Sequence, residues 1–205
     1  VDSSLYWMEL DKELSREKYV ETLRFVSEQA QRIDEIIRHM RSLIRQDSRR
    51  EPVAVDVNEV VNSALSLLDE QLMAHRIGLR KDLGGDLPKV QSQPALLEQA
   101  VINLVINAMS TLDLSGGDSR RITVSTRVDG QQGCIIEVRN NGPSLPVEML
   151  EHVFDPFFAS RMNMDNLGFE LSITENIVTG LGGSITAHNH EDGGCLVKIV
   201  LPKAP

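Results

Sequence analysis

The chain has 205 residues, 41% of them hydrophobic, and 30 Asp and Glu against 21 Lys and Arg give it a formal net charge of −9. That length supports one or two domains with a real core, and the acidic balance offers no broad basic surface to neutralise phosphates, which excludes general nucleic-acid binding. Cys134 and Cys195 each sit in an apolar, strand-like run; they read as core thiols of a reducing compartment and not as a disulfide or metal framework.

No run of about eighteen apolar residues stands out and no signal peptide opens the chain. A soluble, cytoplasmic protein is the expectation, with a membrane contribution only through segments upstream in a longer parent. Residues 1–14 read as the end of a helix, with Leu5, Trp7 and Met8 facing inward. Ser15 is an N-cap and Glu17 suits the first turn of the helix that runs to about Asp47. Along it Leu23, Val26, Ala30, Ile33, Ile37, Met40 and Ile44 alternate steps of three and four. This heptad seam predicts a bundle or coiled-coil interface, made with the 1–14 helix and a second copy of the chain. A helix packed on its own domain is the alternative. His39, among Arg38 and Arg41, is a solvated face residue.

Arg49, Arg50, Glu51 and Pro52 form a linker, and Pro52 forbids continuing the helix. Val53–Val57 reads as a short strand, Asp56 or Asn58 caps a helix to about Ala74, and 77–82 is a strand ending at the turn Gly84-Gly85-Asp86. Pro94 opens the central helix, where a missing N–H does no harm. In that helix Leu97, Val101, Leu104, Val105, Ala108 and Met109 share one face, and Asn103 and Asn107 sit four apart beside it. Arg121–Val128 and Cys134–Arg139 form a hairpin around Asp129-Gly130, and 183–190 with 194–201 a second through Asp192-Gly193-Gly194. Helices are expected at 147–152 and 169–180. The sum is α+β: a partial helical hairpin, then an α/β sandwich with a mixed sheet and one helical layer.

Four segments then fall in an order that resembles one family. Residues 98–112 are similar to the N box of sensor histidine kinases, members of the GHKL ATPase superfamily. Asn140-Asn141-Gly142-Pro143-Ser144-Leu145-Pro146 resembles their G1 box, usually DNGPGIP. Phe154-Asp155-Pro156-Phe157-Phe158-Ala159-Ser160-Arg161 resembles the F box, usually FEPFFTTK, and Asn166-Leu167-Gly168-Phe169-Glu170-Leu171-Ser172-Ile173 stands where GTGLGLSI is usual. The heptad helix ending IIRHMRSLIR resembles the second helix of the dimerisation and phosphotransfer hairpin, in the manner of the nitrogen- and dicarboxylate-sensing branch. The resemblance implies a hairpin over 1–51 and a catalytic, ATP-binding domain over 52–205.

It also implies roles. Asn107 would hold the Mg²⁺ that bridges the nucleotide phosphates, with Asn103 beside it. Asn140, Gly142 and Ser144 would meet the base, Phe154 and Arg161 would belong to a lid over 154–167, and Gly168 and Glu170 would lie at the phosphates. ATP hydrolases of the superfamily usually carry a Glu where Asn103 stands, which favours the kinase branch. An intact member would pass the ATP γ-phosphoryl group to a His and on to an Asp of a response regulator. No catalytic residue is expected in 1–205: by analogy the phosphoacceptor His lies just upstream of Val1, and His75, His152, His188 and His190 do not replace it.

The departures gather where nucleotide is held. Asn140 replaces an adenine-reading Asp; an amide oxygen still accepts, at a loss of about 1–2 kcal/mol for the missing charge. Ser144 replaces a glycine, and Asn166 and Glu170 replace two more. A carboxylate about 5 Å from one phosphate charge costs about 3 kcal/mol at an effective dielectric of 20. Glu170 itself is suited to the anion site at a helix N-terminus. Two readings stay open: a degenerate kinase (a pseudokinase) that acts through a homodimer of the 15–47 helix and through binding a response regulator or another sensor kinase, or an active ATP- and Mg²⁺-dependent histidine kinase with relaxed contacts.

Overall fold

The computed structural model describes residues 18–27, 51–115, 119–130, 133–156, 158 and 168–204. The chain divides into two compact units, Val1–Gln46 and Asp47–Pro205. In the first, residues 18–27 are helical, and the first two seam positions, Leu23 and Val26, are 66% and 45% exposed. Ser15, the later seam positions Ala30, Ile33, Ile37, Met40 and Ile44, and the site candidates Arg161 and Asn166 lie outside the described residues.

The second unit opens with β1 (Val53–Val55) and α1 (Val57–Ala74). The strand is shorter than expected because Asp56 leaves it to cap the helix: its Oδ1 accepts from the backbone N–H groups of Asn58 at 2.9 Å and Glu59 at 3.3 Å. Val57, Val61, Ala64, Leu65, Leu68 and Leu72 follow the helical period and are buried. Asn58 ties this end down, donating to Gly84 O at 2.8 Å and accepting from Thr126 Oγ1 at 2.7 Å.

β2 (Ile77–Leu83) and β3 (Val90–Ser92) lead to α2 (Pro94–Ser115). β3 was not anticipated; three residues between Pro88 and Pro94 show no period, and only pairing defines them. It runs antiparallel to β1 with Val55 opposite Val90, and Ala204 N–H closes onto Lys89 O at 2.8 Å. α2 contains an 18-residue window of mean hydropathy 1.4, apolar enough by length and composition to cross a membrane. This differs from the expectation that no such run stands out; the run is a core helix. Leu97, Ala100, Val101, Leu104, Val105, Ala108, Met109 and Leu112 are all at most 5% exposed, and α2 packs on α1, on the sheet and on the later helix over residues 170–180. Asp113 fastens its end: Oδ1 accepts from Arg120 Nη1 at 2.7 Å and Oδ2 lies 2.7 Å from His75 Nδ1.

β4 (Arg120–Val128), β5 (Cys134–Asn140), α3 (Val147–Leu150), α4 (Glu170–Gly180), β6 (Ser184–Asn189) and β7 (Cys195–Leu201) complete the unit. The helix expected at 147–152 stops at Leu150 and continues as turns. The five-stranded sheet has the order β2-β4-β5-β7-β6; β2 is parallel to β4 and the other pairs are antiparallel. Register puts Ile122 with Asn140, Val124 with Val138, Ile136 with Ile199 and Val138 with Val197 on the face under the helices. The opposite face carries Arg80, Thr123, Arg139, Glu137 and Lys198. The result is a mixed sheet with one helical layer.

Truncating Leu104, 1% exposed at the middle of α2, to Ala is expected to cost about 2–5 kcal/mol. Asp56→Ala is expected to cost about 1 kcal/mol through loss of the cap. Urea unfolding of the two variants measures both.

Candidate functional site

Helix α2 is buried along most of its length, so its amides have few outlets. Asn107 is half-buried and lines a cavity of about 60 Å³, together with Thr111, Leu145, Phe158, Gly168 and Glu170. Asn103, one turn earlier, is 4% exposed and does not line it. Its Oδ1 accepts from Gln99 Nε2 at 2.7 Å, and its buried Nδ2 has no partner among the described residues. An unpaired buried amide N–H costs about 1–3 kcal/mol.

Asn140 ends β5 beneath this helix, 4% exposed. Its Oδ1 accepts from Gly142 N–H at 3.0 Å and, at the long distance of 3.4 Å, from Cys195 N–H. Both neighbours are donors, so the network fixes which way the amide points. The oxygen thus serves the backbone, where a carboxylate would bring a second oxygen as well. The turn is built for this closeness. A Cβ on Gly142 would sit 3.1 Å from Asn140 Oδ1; one on Gly194, whose φ is +83°, would sit 2.0 Å from Asn140 O.

The segment after Asn140 is held by two more amides. Asn141 Oδ1 accepts from Arg121 N–H at 2.7 Å, and its Nδ2 donates to Ser119 O at 2.6 Å. Asn189, at the end of β6, grips Leu145 on both sides, accepting from its N–H at 2.9 Å and donating to its O at 2.6 Å. Ser144 is exposed, and among the described non-glycine residues only Arg76 and Asp86 have positive φ. Ser144 therefore stands in a conformation open to any residue.

The far wall comes from 150–158 and from the start of α4. Leu150, Val153 and Phe158 line the cavity, whereas Phe154 is half-buried outside it. Gly168 has φ +70° and leads through Phe169, an N-cap without a side-chain hydrogen bond, to Glu170. Glu170 thus stands in the first turn of α4 and in the cavity wall, with no ion pair to any described residue. A carboxylate there gains about 0.3–1 kcal/mol from the helix dipole. The structure therefore gathers Asn107, Gly168 and Glu170 at one cavity, keeps Asn103 and Asn140 packed beside it, and leaves Ser144 at the surface. Among the described residues no group of three His, Cys, Asp or Glu is placed to hold a metal ion.

Sequence reasoning missed Leu145, Asn189 and Cys195. Cys195 shares strand parity with the inward-facing Val197, Ile199 and Leu201, but it opens the strand, where the sandwich is no longer closed. Cys134 is the core thiol that was expected, its pKa pushed up to about 11 by burial and by the nearby Asp56 charge. Cys195, by contrast, is a half-buried cavity residue whose thiol is raised by burial, against a backbone hydrogen bond at Leu145 that lowers it. Near neutral pH both therefore remain thiols. A soluble thiol reagent at mildly alkaline pH is expected to label Cys195 first and Cys134 only on unfolding, and a ligand filling the cavity is expected to slow the labelling of Cys195; peptide mapping by mass spectrometry reads both.

A profile of the histidine kinase-, DNA gyrase B- and HSP90-like ATPase family matches residues 92–205. The chain is 31% identical over 184 residues to the C4-dicarboxylate transport sensor protein DctB of Pseudomonas aeruginosa, covering 89% of this chain and 30% of that protein. It is 26% identical over 182 residues to the sensor histidine kinase ZraS of Salmonella typhi, covering 89% of this chain and 38% of that one. It thus spans about a third of the length of these relatives. The catalytic domain of histidine kinase ThkA in a nucleotide-free form superposes with a TM-score of 0.63 at 25% identity, over 76% of this chain and 99% of that one. ThkA in complex with the response regulator protein TrrA gives a TM-score of 0.72 at 24% identity, over 98% of this chain and 57% of that one. With the N-box helix over the mixed sheet and the G1 turn at the end of β5, the chain belongs to the family of histidine kinase-, DNA gyrase B- and HSP90-like ATPases.

Proposed function

We propose that this chain is the transmitter core of a two-component sensor histidine kinase, on the cytoplasmic side of its sensor, whose nucleotide site is impaired and which signals through dimerisation and partner binding. Similarity to DctB and ZraS across nearly the whole chain supports the sensor-kinase reading. The fold shared with ThkA, solved with the response regulator TrrA, supports a regulator as partner. The hairpin over 1–51 would supply the dimer contact. Leu23 and Val26, exposed in the single chain, are in keeping with it.

The observation that carries the impaired-site reading is the orientation of Asn140. A base amine needs an acceptor, and the Asn140 oxygen is engaged by Gly142 N–H and Cys195 N–H. An oxygen engaged in this way has less capacity for a base amine than a carboxylate with a second oxygen. Glu170 adds a negative charge to the same cavity wall. At about 60 Å³ the cavity holds a few waters, well short of the roughly 300–1,000 Å³ of a ligand pocket. Among the described residues Asn107 is the one family-type Mg²⁺ ligand lining it, and Mg²⁺ would take the rest of its oxygens from phosphates and water. ATP with Mg²⁺ is thus a poor fit to the residues present, and no catalytic step is assigned to this chain.

The active-kinase reading has one observation in its favour: Asn107 and Gly168, with its positive φ, stand in family-like places around one cavity. Isothermal titration with a non-hydrolysable ATP analogue and Mg²⁺ separates the two. Impairment is expected to appear as no saturation by about 1 mM analogue, with a gain of about tenfold or more in the Asn140→Asp, Glu170→Gly double variant. Micromolar binding by the unmodified chain, unchanged in that variant, would establish the active site instead.

A further inference from the structure

On the open face of β2, β4 and β5 lies a second concavity, of about 290 Å³, walled by Arg80, Arg121, Thr123, Arg139, Asp192 and, at the end of β5, Asn140 and Asn141. Register places these groups. Arg80 pairs with Thr123 and Thr123 with Arg139, so the two arginines flank one threonine in a single row across three strands. At strand spacing they are about 10 Å apart at Cα, and Arg121 lies about 7 Å along β4 on the same face. Gly78, opposite Arg121, adds no side chain to that face, and a Cβ on it would meet nothing closer than Arg120 O at 3.6 Å.

Three guanidinium groups on one face repel one another unless an anion joins them. Charge compensation among the described residues is slight. Arg80 and Arg121 have no carboxylate partner there, and Arg139 has one contact, Nη2 to Asp192 Oδ2 at 3.4 Å. Asp192 is itself 78% exposed on the β6–β7 turn. Glu137, in the next row, is spent on Arg127, which reaches both its oxygens. Asp82 shares the face two residues beyond Arg80 and makes no ion pair with a described residue. The rim is rigid, because the Asn141 side chain is pinned between Arg121 N–H and Ser119 O. In a chain of net charge −9, such a concentration of cations is a local feature and not a by-product of composition.

We infer that the Arg80, Arg121 and Arg139 concavity is a binding site for a small, multiply charged oxyanion, separate from the family's nucleotide site. Guanidinium forks give paired N–H donors to phosphate or carboxylate oxygens. The Thr123 hydroxyl sits at the centre of the row as a further donor. The Asp192 carboxylate acts as an internal competitor for Arg139, withdrawn when the ligand arrives. Such an anion needs no metal ion at this site, in contrast to nucleotide.

The test is titration of the whole 205-residue chain with inorganic pyrophosphate in EDTA at low salt, followed by calorimetry. Saturable binding with Kd below about 1 mM is expected, weakened about tenfold or more by Arg121→Gln together with Arg139→Gln. Asp192→Asn is expected to tighten binding several-fold, and Lys89→Gln, which removes an exposed cation outside the concavity, to leave it unchanged. Thermal melting checks that each variant is folded. Absence of saturation, indifference to the arginine changes, or an equal loss in Lys89→Gln would each overturn the assignment.

Discussion

Burial of α2 on three sides is the constraint from which the rest of the structure follows. The helix packs on α1, on α4 and on the sheet, and eight of its apolar residues are at most 5% exposed. At roughly 25 cal/mol per Å² of buried apolar surface, burying such a helix stabilises the unit. Any polar side chain on it must meet a partner or open onto a cavity. Asn107 meets the second condition. Asn103 meets the first with one atom only, its oxygen on Gln99, and leaves an amide hydrogen orphaned. That orphan is a local cost the core carries one turn of α2 away from Asn107.

Asn140 shows the same contest between architecture and chemistry. β5 and β7 close on each other through Gly194, where a side chain would strike Asn140 O, and the next residue, Cys195, turns its N–H toward the Asn140 side chain. Gly142 does the same from the other direction. An aspartate in this place can satisfy the backbone with one oxygen and keep the other for a ligand. An asparagine satisfies the backbone equally well with its single oxygen, so the fold around this position is kept.

The sheet divides the charges of the unit. The centre of its covered face is apolar, with the buried Asn140 and Thr126 held in hydrogen bonds and the charged Lys81 and Arg120 at its margin reaching Asn62 and Asp113 on the helices. Its open face sorts polar groups into rows: Arg80, Thr123 and Arg139 in one, Ser125, Glu137 and Lys198 in the next. Glu137 of the second row is neutralised by Arg127 from the row beyond it. The arginines of the first row have, among the described residues, only Asp192 of the turn, on Arg139. Cross-strand register decides this, since a one-residue slip would bring every one of these groups to the other face.

Much of the architecture is legible in the amino-acid order because it is local. The Asp56 cap, Pro94 at the start of α2, the three-and-four spacing of Leu97 to Leu112 and the Asp192-Gly193-Gly194 turn each act within a few residues. The motif order further identified the family and drew attention to Asn107, Asn140, Gly168 and Glu170. Tertiary structure alone decided the parallel pairing of β2 with β4, the three-residue β3, and the cavity roles of Leu145 and Cys195. It also decided that the Asn140 oxygen faces the backbone, and that arginines 41 to 59 positions apart along the chain, Arg80 with Arg121 and Arg139, share one hollow. These depend on contacts between distant segments, whose register is fixed by the packing of the whole sheet and is carried by no single stretch of sequence.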